Sequence, residues 1–182
     1  MGQPKALLDY RGQTFLEHIL ATVTRSSIRG PVVVLGHDRA AILKRVEIPE
    51  WVYNPNYEKG MTTSFQAGIR VLPDEVTAAM LFLVDHPLVL LDTIEKLGAQ
   101  ASRDSIVLPV RNGRRGHPVV FGKLVLDEVL RLPPDRGANL VVRARPERVV
   151  EVRVDDPGVL VDVDTPEEFR KLDHDGSDTD TN

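Results

Sequence analysis

Asp85 closes a run of seven apolar residues, Ala78 to Val84, and is followed by His86 and Pro87. A carboxylate that emerges where a buried strand meets solvent suits a hard cation, which takes oxygen donors. An aspartate opening a turn before Pro87 fits the same place, and position alone does not separate the two. Asp164 stands in the same situation after "VLVDV". Read as a strand, that stretch sets Leu160, Asp162 and Asp164 on one face and Val159, Val161 and Val163 on the other. Neighbouring carboxylates on that face stand about 7 Å apart at the backbone. Magnesium takes one or two carboxylates and leaves its other positions to water and substrate phosphates. Two strand-end aspartates from distant segments meet that need; an Asp162 satisfied by local hydrogen bonds is the competing account.

Arg111, Arg114 and Arg115 surround Asn112-Gly113, with Gly116-His117-Pro118 behind them. The cluster reads either as a solvated hairpin tip or as guanidinium forks offered to phosphate oxygens. His37 and His117 each follow a glycine, and neither has a partner at zinc or triad spacing. His37 reads as structural, His18 as a solvated helix residue, and His117 stays open. Ser64 lacks a G-x-S-x-G context and is not read as a nucleophile. Gly60 and Gly68 bracket it, and they serve either a close backbone approach to a ligand or a tight turn.

These side chains need a scaffold, and the hydrophobic pattern supplies one. Thr14 and Glu17 form a T-x-x-E capping box ahead of Phe15, Leu16, Ile19, Leu20 and Val23 at helical spacing. "PVVVLG" and "AAMLFLVD" read as strands buried on both faces, and "WVYN" as a strand between them. Asp38 is placed to cap a helix from Arg39 to Val46, and a further helix starts at Thr62. Asp92 and Glu95 are placed to cap one ending near Ser102. "IVLPV" and "HPVVF" flank the Asn112-Gly113 turn as strands. Helices over Lys123 to Leu132 and Ala138 to Ala144, then strands at "VVEVRV" and "VLVDVD", lead to a last helix with Pro166 at its first position. Alternating strands and helices predict an α/β fold, an open, mainly parallel twisted sheet with helices on both faces. Ligands of such sheets bind beyond the carboxyl ends of the strands.

The chain has 182 residues, 42% of them hydrophobic, enough for one core without a linker. A net charge of −4 argues against a nucleic-acid partner. The absence of cysteine excludes disulfides and thiolate chemistry. No apolar run approaches the roughly 18 residues of a membrane span, so the expectation is a soluble, cytoplasmic protein with no membrane partner. Residues 1–172 are expected to form a single domain, and 173–182, "DHDGSDTDTN", a disordered acidic tail.

Taken in order, "MGQPKALL", "VVVLGH", "NPNYEKGMTTSFQAGI", "LVDHPLV", "RRGHPVVF" and "VDVDTPEEF" resemble the molybdenum cofactor nucleotidyltransferase-like family, MobA-like, and within it the cytidylyltransferase branch. The resemblance spans Gly2 to about Leu172. It implies a Rossmann-like nucleotidyltransferase fold. It also implies a reaction in which the phosphate of a molybdopterin-type cofactor attacks the α-phosphorus of a nucleoside triphosphate, CTP in preference to GTP, releasing pyrophosphate. By motif, Asp85 and Asp164 would hold Mg2+ on the triphosphate, and Lys5 would contact phosphate oxygens. Gly2, Gly60, Met61 and Ser64 would line the nucleotide pocket. Arg114, Arg115, Gly116 and His117 would face the acceptor, and a molybdenum hydroxylase would be the client.

The chain also departs from that family. A first strand and a loop of the form L-A-A-G-x-S-x-R-M-G-x-P-K precede this segment in the family; here "MG" and "PK" stand alone. Met1 is accordingly expected to be an internal methionine of a longer protein. His86 replaces a usual glutamine or methionine, and Asn139 a usual arginine. Transfer to a sugar phosphate or another small phosphate acceptor is the alternative activity. A non-catalytic molybdenum cofactor carrier is the alternative without activity.

Overall fold

The computed structural model describes residues 3–163. Fifteen regular elements follow one another: β1 (Asp9–Tyr10), β2 (Gln13–Thr14), α1 (Phe15–Thr24), β3 (Val33–Leu35), α2 (Arg39–Arg45), β4 (Trp51–Tyr53), α3 (Met61–Arg70), β5 (Ala78–Leu81), α4 (Leu91–Ala99), β6 (Ile106–Arg111), β7 (Arg114–Arg115), β8 (Val119–Gly122), α5 (Lys123–Val129), α6 (Asn139–Ala144) and β9 (Val149–Arg153). Short 3-10 turns join several of them. The α/β architecture read from the sequence is the one adopted. Among the described residues no helix is long and apolar enough to cross a membrane.

The capping box forms as expected: Thr14 Oγ1 accepts from the Glu17 amide, and the Glu17 carboxylate accepts from the Thr14 amide at 2.7 Å. The Thr14 amide and the Thr14 hydroxyl, which donates to the same carboxylate at 2.8 Å, hold the Glu17 carboxyl below its ordinary range. Asn112 and Gly113 both take positive φ, 51° and 73°, which turns β6 into β7 as the Asn-Gly pair predicts.

β3 and β4 pair in parallel. In the larger sheet β8 lies antiparallel between β5 and β6, and β9 pairs parallel to β6. β5, β6 and β9 therefore run the same way, and their carboxyl ends share one edge. The β4–α3–β5 crossover brings the carboxyl ends of β3 and β4 to that edge too. α1 covers one face of both ladders, with Leu16 beside Leu35 and Ile19 and Val23 beside Met80 and Phe82. α3 covers the other, with Phe65 and Ile69 against Ala79 and Leu81. Val34 Cγ2 would lie 3.1 Å from a Cβ on Gly68.

Several expectations need correction. "VLVDVD" is not a strand: Pro157–Leu160 forms a 3-10 turn opened by Asp156, and residues 161–163 are extended without a ladder partner among the described residues. Its two-residue alternation still buries Val163 and exposes Asp162, but Asp164 lies outside the described residues, as do Gly2, the expected final helix and the acidic tail. "AAMLFLVD" is a strand only to Leu81. It and β3 are largely half-buried, because each has one ladder neighbour among the described residues and not two. Asp92 and Glu95 do not cap α4. Asp92 pairs with Lys96 at 2.6 Å, and Glu95 accepts from the Ser27 amide and hydroxyl. The cap comes from Asp156, whose buried carboxylate accepts from the Leu90 amide and the Thr93 hydroxyl. Asp38 precedes α2 without a side-chain cap bond. His18 is half-buried, its Nε2 3.1 Å from the Tyr10 carbonyl.

Candidate functional site

After Leu81 the chain leaves β5 and turns at Asp85, with the His86 amide donating to the Leu83 carbonyl at 3.1 Å. The Val163 amide donates to the Asp85 carbonyl at 3.0 Å. Val84, Val161 and Val163 pack into a cluster with Leu8, Tyr10 and Phe15. Burying these valines fixes two backbone segments side by side and sets the intervening carboxylates outward. Asp85, His86 and Asp162 consequently each offer a ligand atom, all within 4.8 Å of one another. Lys5, in the 3-10 turn Lys5–Leu7, places Nζ 3.9 Å from Asp85 Oδ2.

Among the described residues, Asp85 Oδ1 and His86 Nδ1 are buried without a hydrogen-bond partner, as is His117 Nδ1. Leaving such an atom unpaired costs about 1–3 kcal/mol, more when it is charged, so buried atoms of this kind at a strand edge mark a ligand position. His117 reaches the cluster from the connection between β7 and β8: its amide donates to the Val159 carbonyl at 2.9 Å, and its ring centroid lies 5.0 Å from that of His86. Burial, reinforced by His86, pushes the His117 imidazole below its ordinary range, while Asp85 pulls the other way. His117 is therefore neutral near pH 7, a hydrogen-bonding group and not a cation.

Gly116 is required where it stands, since a Cβ there would meet the Val159 carbonyl oxygen at 2.2 Å. Arg115 makes an exposed ion pair with Glu151, 2.7 Å long, while Arg114 is exposed beside it. Arg111 contacts Asp155 at 3.4 Å and keeps a buried Nε without a partner.

The amino end of α3 carries the residues expected at the nucleotide. The buried Asn54 side-chain amide donates to Thr63 Oγ1 at 2.8 Å and to Ser64 Oγ at 2.9 Å. Ser64 thus spends a lone pair on Asn54 and keeps its own O–H to donate. Met61 is exposed. Gly60 takes φ 121°, and a Cβ on it would meet the Pro134 carbonyl at 2.9 Å. The close approach that the glycines permit is therefore to Pro134 at Gly60 and to Val34 at Gly68.

Of the residues singled out in the sequence, the structure brings Lys5, Asp85 and His117 close together. It adds Asp162 beside Asp85, a residue the sequence left open between a projecting carboxylate and one satisfied by local hydrogen bonds.

Residues 1–149 match the model of the MobA-like NTP transferase domain. The chain is 30% identical to nicotine blue oxidoreductase of Paenarthrobacter nicotinovorans, over 93% of this chain and 87% of that protein. It is 26% identical to the molybdenum cofactor cytidylyltransferase of Escherichia coli K12, over 93% and 86%. The crystal structure of Rv0371c from Mycobacterium tuberculosis H37Rv superposes with a TM-score of 0.85 at 27% identity, covering 94% of this chain and 89% of that one. A manganese complex of the same protein gives 0.83 at 26% identity, covering 94% and 92%. The fold is the Rossmann-like one of the nucleotidyltransferases, and the chain belongs to the MobA-like NTP transferase domain family.

Proposed function

We propose that the chain transfers a nucleoside monophosphate, CMP from CTP, to the phosphate of a molybdopterin-type acceptor and releases pyrophosphate. The observation that carries this reading is the convergence of Lys5, Asp85 and Asp162 at the sheet edge, with an unpartnered buried carboxylate oxygen on Asp85. Asp85 and Asp162, with Asp164 next in the motif, are the residues that would hold a divalent cation. Magnesium is the ion the family resemblance implies, and the similar Mycobacterium tuberculosis protein is known in complex with manganese. When bound, such a cation neutralises triphosphate charge and polarises the phosphoryl oxygens.

The chain's own residues do the rest. Lys5 reaches phosphate oxygens next to Asp85. Ser64, oriented by Asn54, donates to the nucleotide from the start of α3, with Gly60 and Met61 beside it; Gly2, outside the described residues, is assigned to the pocket by the family resemblance alone. Arg114, Arg115, Gly116 and His117 form the acceptor side; of these, Arg114 is exposed to take a phosphate, and Arg115 must leave Glu151 to do so. An acceptor phosphate oxygen forms the new bond to the α-phosphorus as the bond to the pyrophosphate oxygen breaks. This transfer needs alignment and charge neutralisation more than a protein nucleophile. A molybdenum hydroxylase is the proposed client of the product.

Calorimetry with CTP, with and without a divalent cation, tests the reading. Cation-dependent CTP binding that weakens at least tenfold in Asp85→Ala is expected. Binding of a molybdopterin-type ligand with no affinity for CTP would favour a carrier instead. The similarity to nicotine blue oxidoreductase supports a second reading, an oxidoreductase acting on nicotine blue. Turnover of nicotine blue with no requirement for CTP would favour it.

A further inference from the structure

Of the three groups that converge on the candidate cation position, one is not an oxygen donor. His86 is 8% exposed, its Nδ1 is buried without a partner, and one of its ring nitrogens lies within 4.8 Å of the ligand oxygens of Asp85 and Asp162. A buried imidazole could have been satisfied by a backbone carbonyl, as His18 is by Tyr10. His86 instead has the ring of His117 on one side and the two carboxylates on another. Its neighbours supply negative charge and an oxygen, Asp85 Oδ1, that likewise has no hydrogen-bond partner among the described residues.

We propose that Asp85, His86 and Asp162 form a mixed oxygen and nitrogen site that selects divalent transition ions such as Mn2+ or Co2+ over Mg2+. The inference rests on the metal and nucleotide reading above and adds a ligand to it. Mg2+ is a hard ion that takes oxygen ligands and retains much of its water. Imidazole suits the later first-row ions, whose affinity for nitrogen-containing sites rises from manganese through cobalt. One histidine replacing an amide or thioether at this position therefore changes which ion the site holds without changing its carboxylates.

The test uses Mn2+ alone and then Mn2+ with CTP on the full chain, read by electron paramagnetic resonance with spin-echo detection of coupled nitrogen. The wild-type protein should show nitrogen modulation from one imidazole. The signal should vanish in His86→Gln and persist in His117→Gln. Displacing Mn2+ should take an excess of Mg2+ that falls by roughly tenfold in His86→Gln. Bound Mn2+ without nitrogen modulation in the wild-type protein, which needs no variant to fold, overturns the histidine ligand and leaves the two-carboxylate reading standing. Modulation that survives in His86→Gln and is lost in His117→Gln overturns it as well. Failure to bind Mn2+ in the presence or absence of CTP overturns both readings together.

Discussion

Gly116 has no room for a side chain, because the Val159 carbonyl oxygen would lie 2.2 Å from its Cβ. That contact seats the next residue, His117, whose amide bonds to the same carbonyl. Gly116→Ala must move one backbone segment off the other, and overpacking of this kind costs typically 1–3 kcal/mol. The expected result is a loss of about that size in urea unfolding, together with a weakened acceptor interaction; an unchanged midpoint would contradict the packing. Asp85 was legible in the sequence because a charged residue after seven apolar ones has few explanations. For Asp162 the alternation gives the face, opposite Val161 and Val163, but not the neighbour: that it meets Asp85 follows from the packing of those valines against Leu8, Tyr10 and Phe15, which spacing does not encode. His86 was visible only as a departure from its family; its burial and its unpartnered nitrogen came from the structure.

At the scale of elements, the ends of helices divide by whether their caps are local. Thr14 and Glu17 lie three residues apart, so the box that starts α1 could be read directly. The start of α4 is held from 66 residues away, where Asp156 accepts from the Leu90 amide at 2.9 Å and the Thr93 hydroxyl at 2.7 Å. The same carboxylate accepts from the Gly158 amide at 2.8 Å and so shapes the turn Pro157–Leu160. That turn in turn bears on Gly116 and leads to Asp162. Asp156→Ala strands three buried donors and should cost about 3 kcal/mol in chemical denaturation. A loss below about 0.5 kcal/mol would show that Asp156 does not hold α4 to the site. The acids at Asp92 and Glu95 looked like local caps, but side-chain hydrogen bonds and ion pairs with Ser27 and Lys96 use them instead.

Over the whole molecule, two ladders share two helices. α1 and α3 sandwich both the β3–β4 pair and the sheet that begins at β5, yet no backbone ladder joins β3 to β5 among the described residues. The registers direct Val33 and Leu35 toward β4, and Ala79 and Leu81 toward β8. The intervening Val34 and Met80 amides therefore face the open edges. Hydrogen exchange should be faster at Val34 and Met80 than at Val107 and Val120, which bond to each other inside the sheet. Equal protection would mean that those edges are covered. The alternation of strand and helix was readable because it is written in local periodicity. The order of strands, with β8 between β5 and β6, rests on long-range pairing that periodicity does not encode.

The central claim is that the edge holding Lys5, Asp85 and Asp162 carries out nucleotidyl transfer. Pyrophosphate release from CTP, measured with a molybdopterin-type acceptor and a divalent cation, tests it most directly. The account predicts release that requires acceptor and cation and that falls at least a hundredfold in a folded Asp85→Ala protein. Release that persists in that variant, or that never depends on the cation, would contradict it.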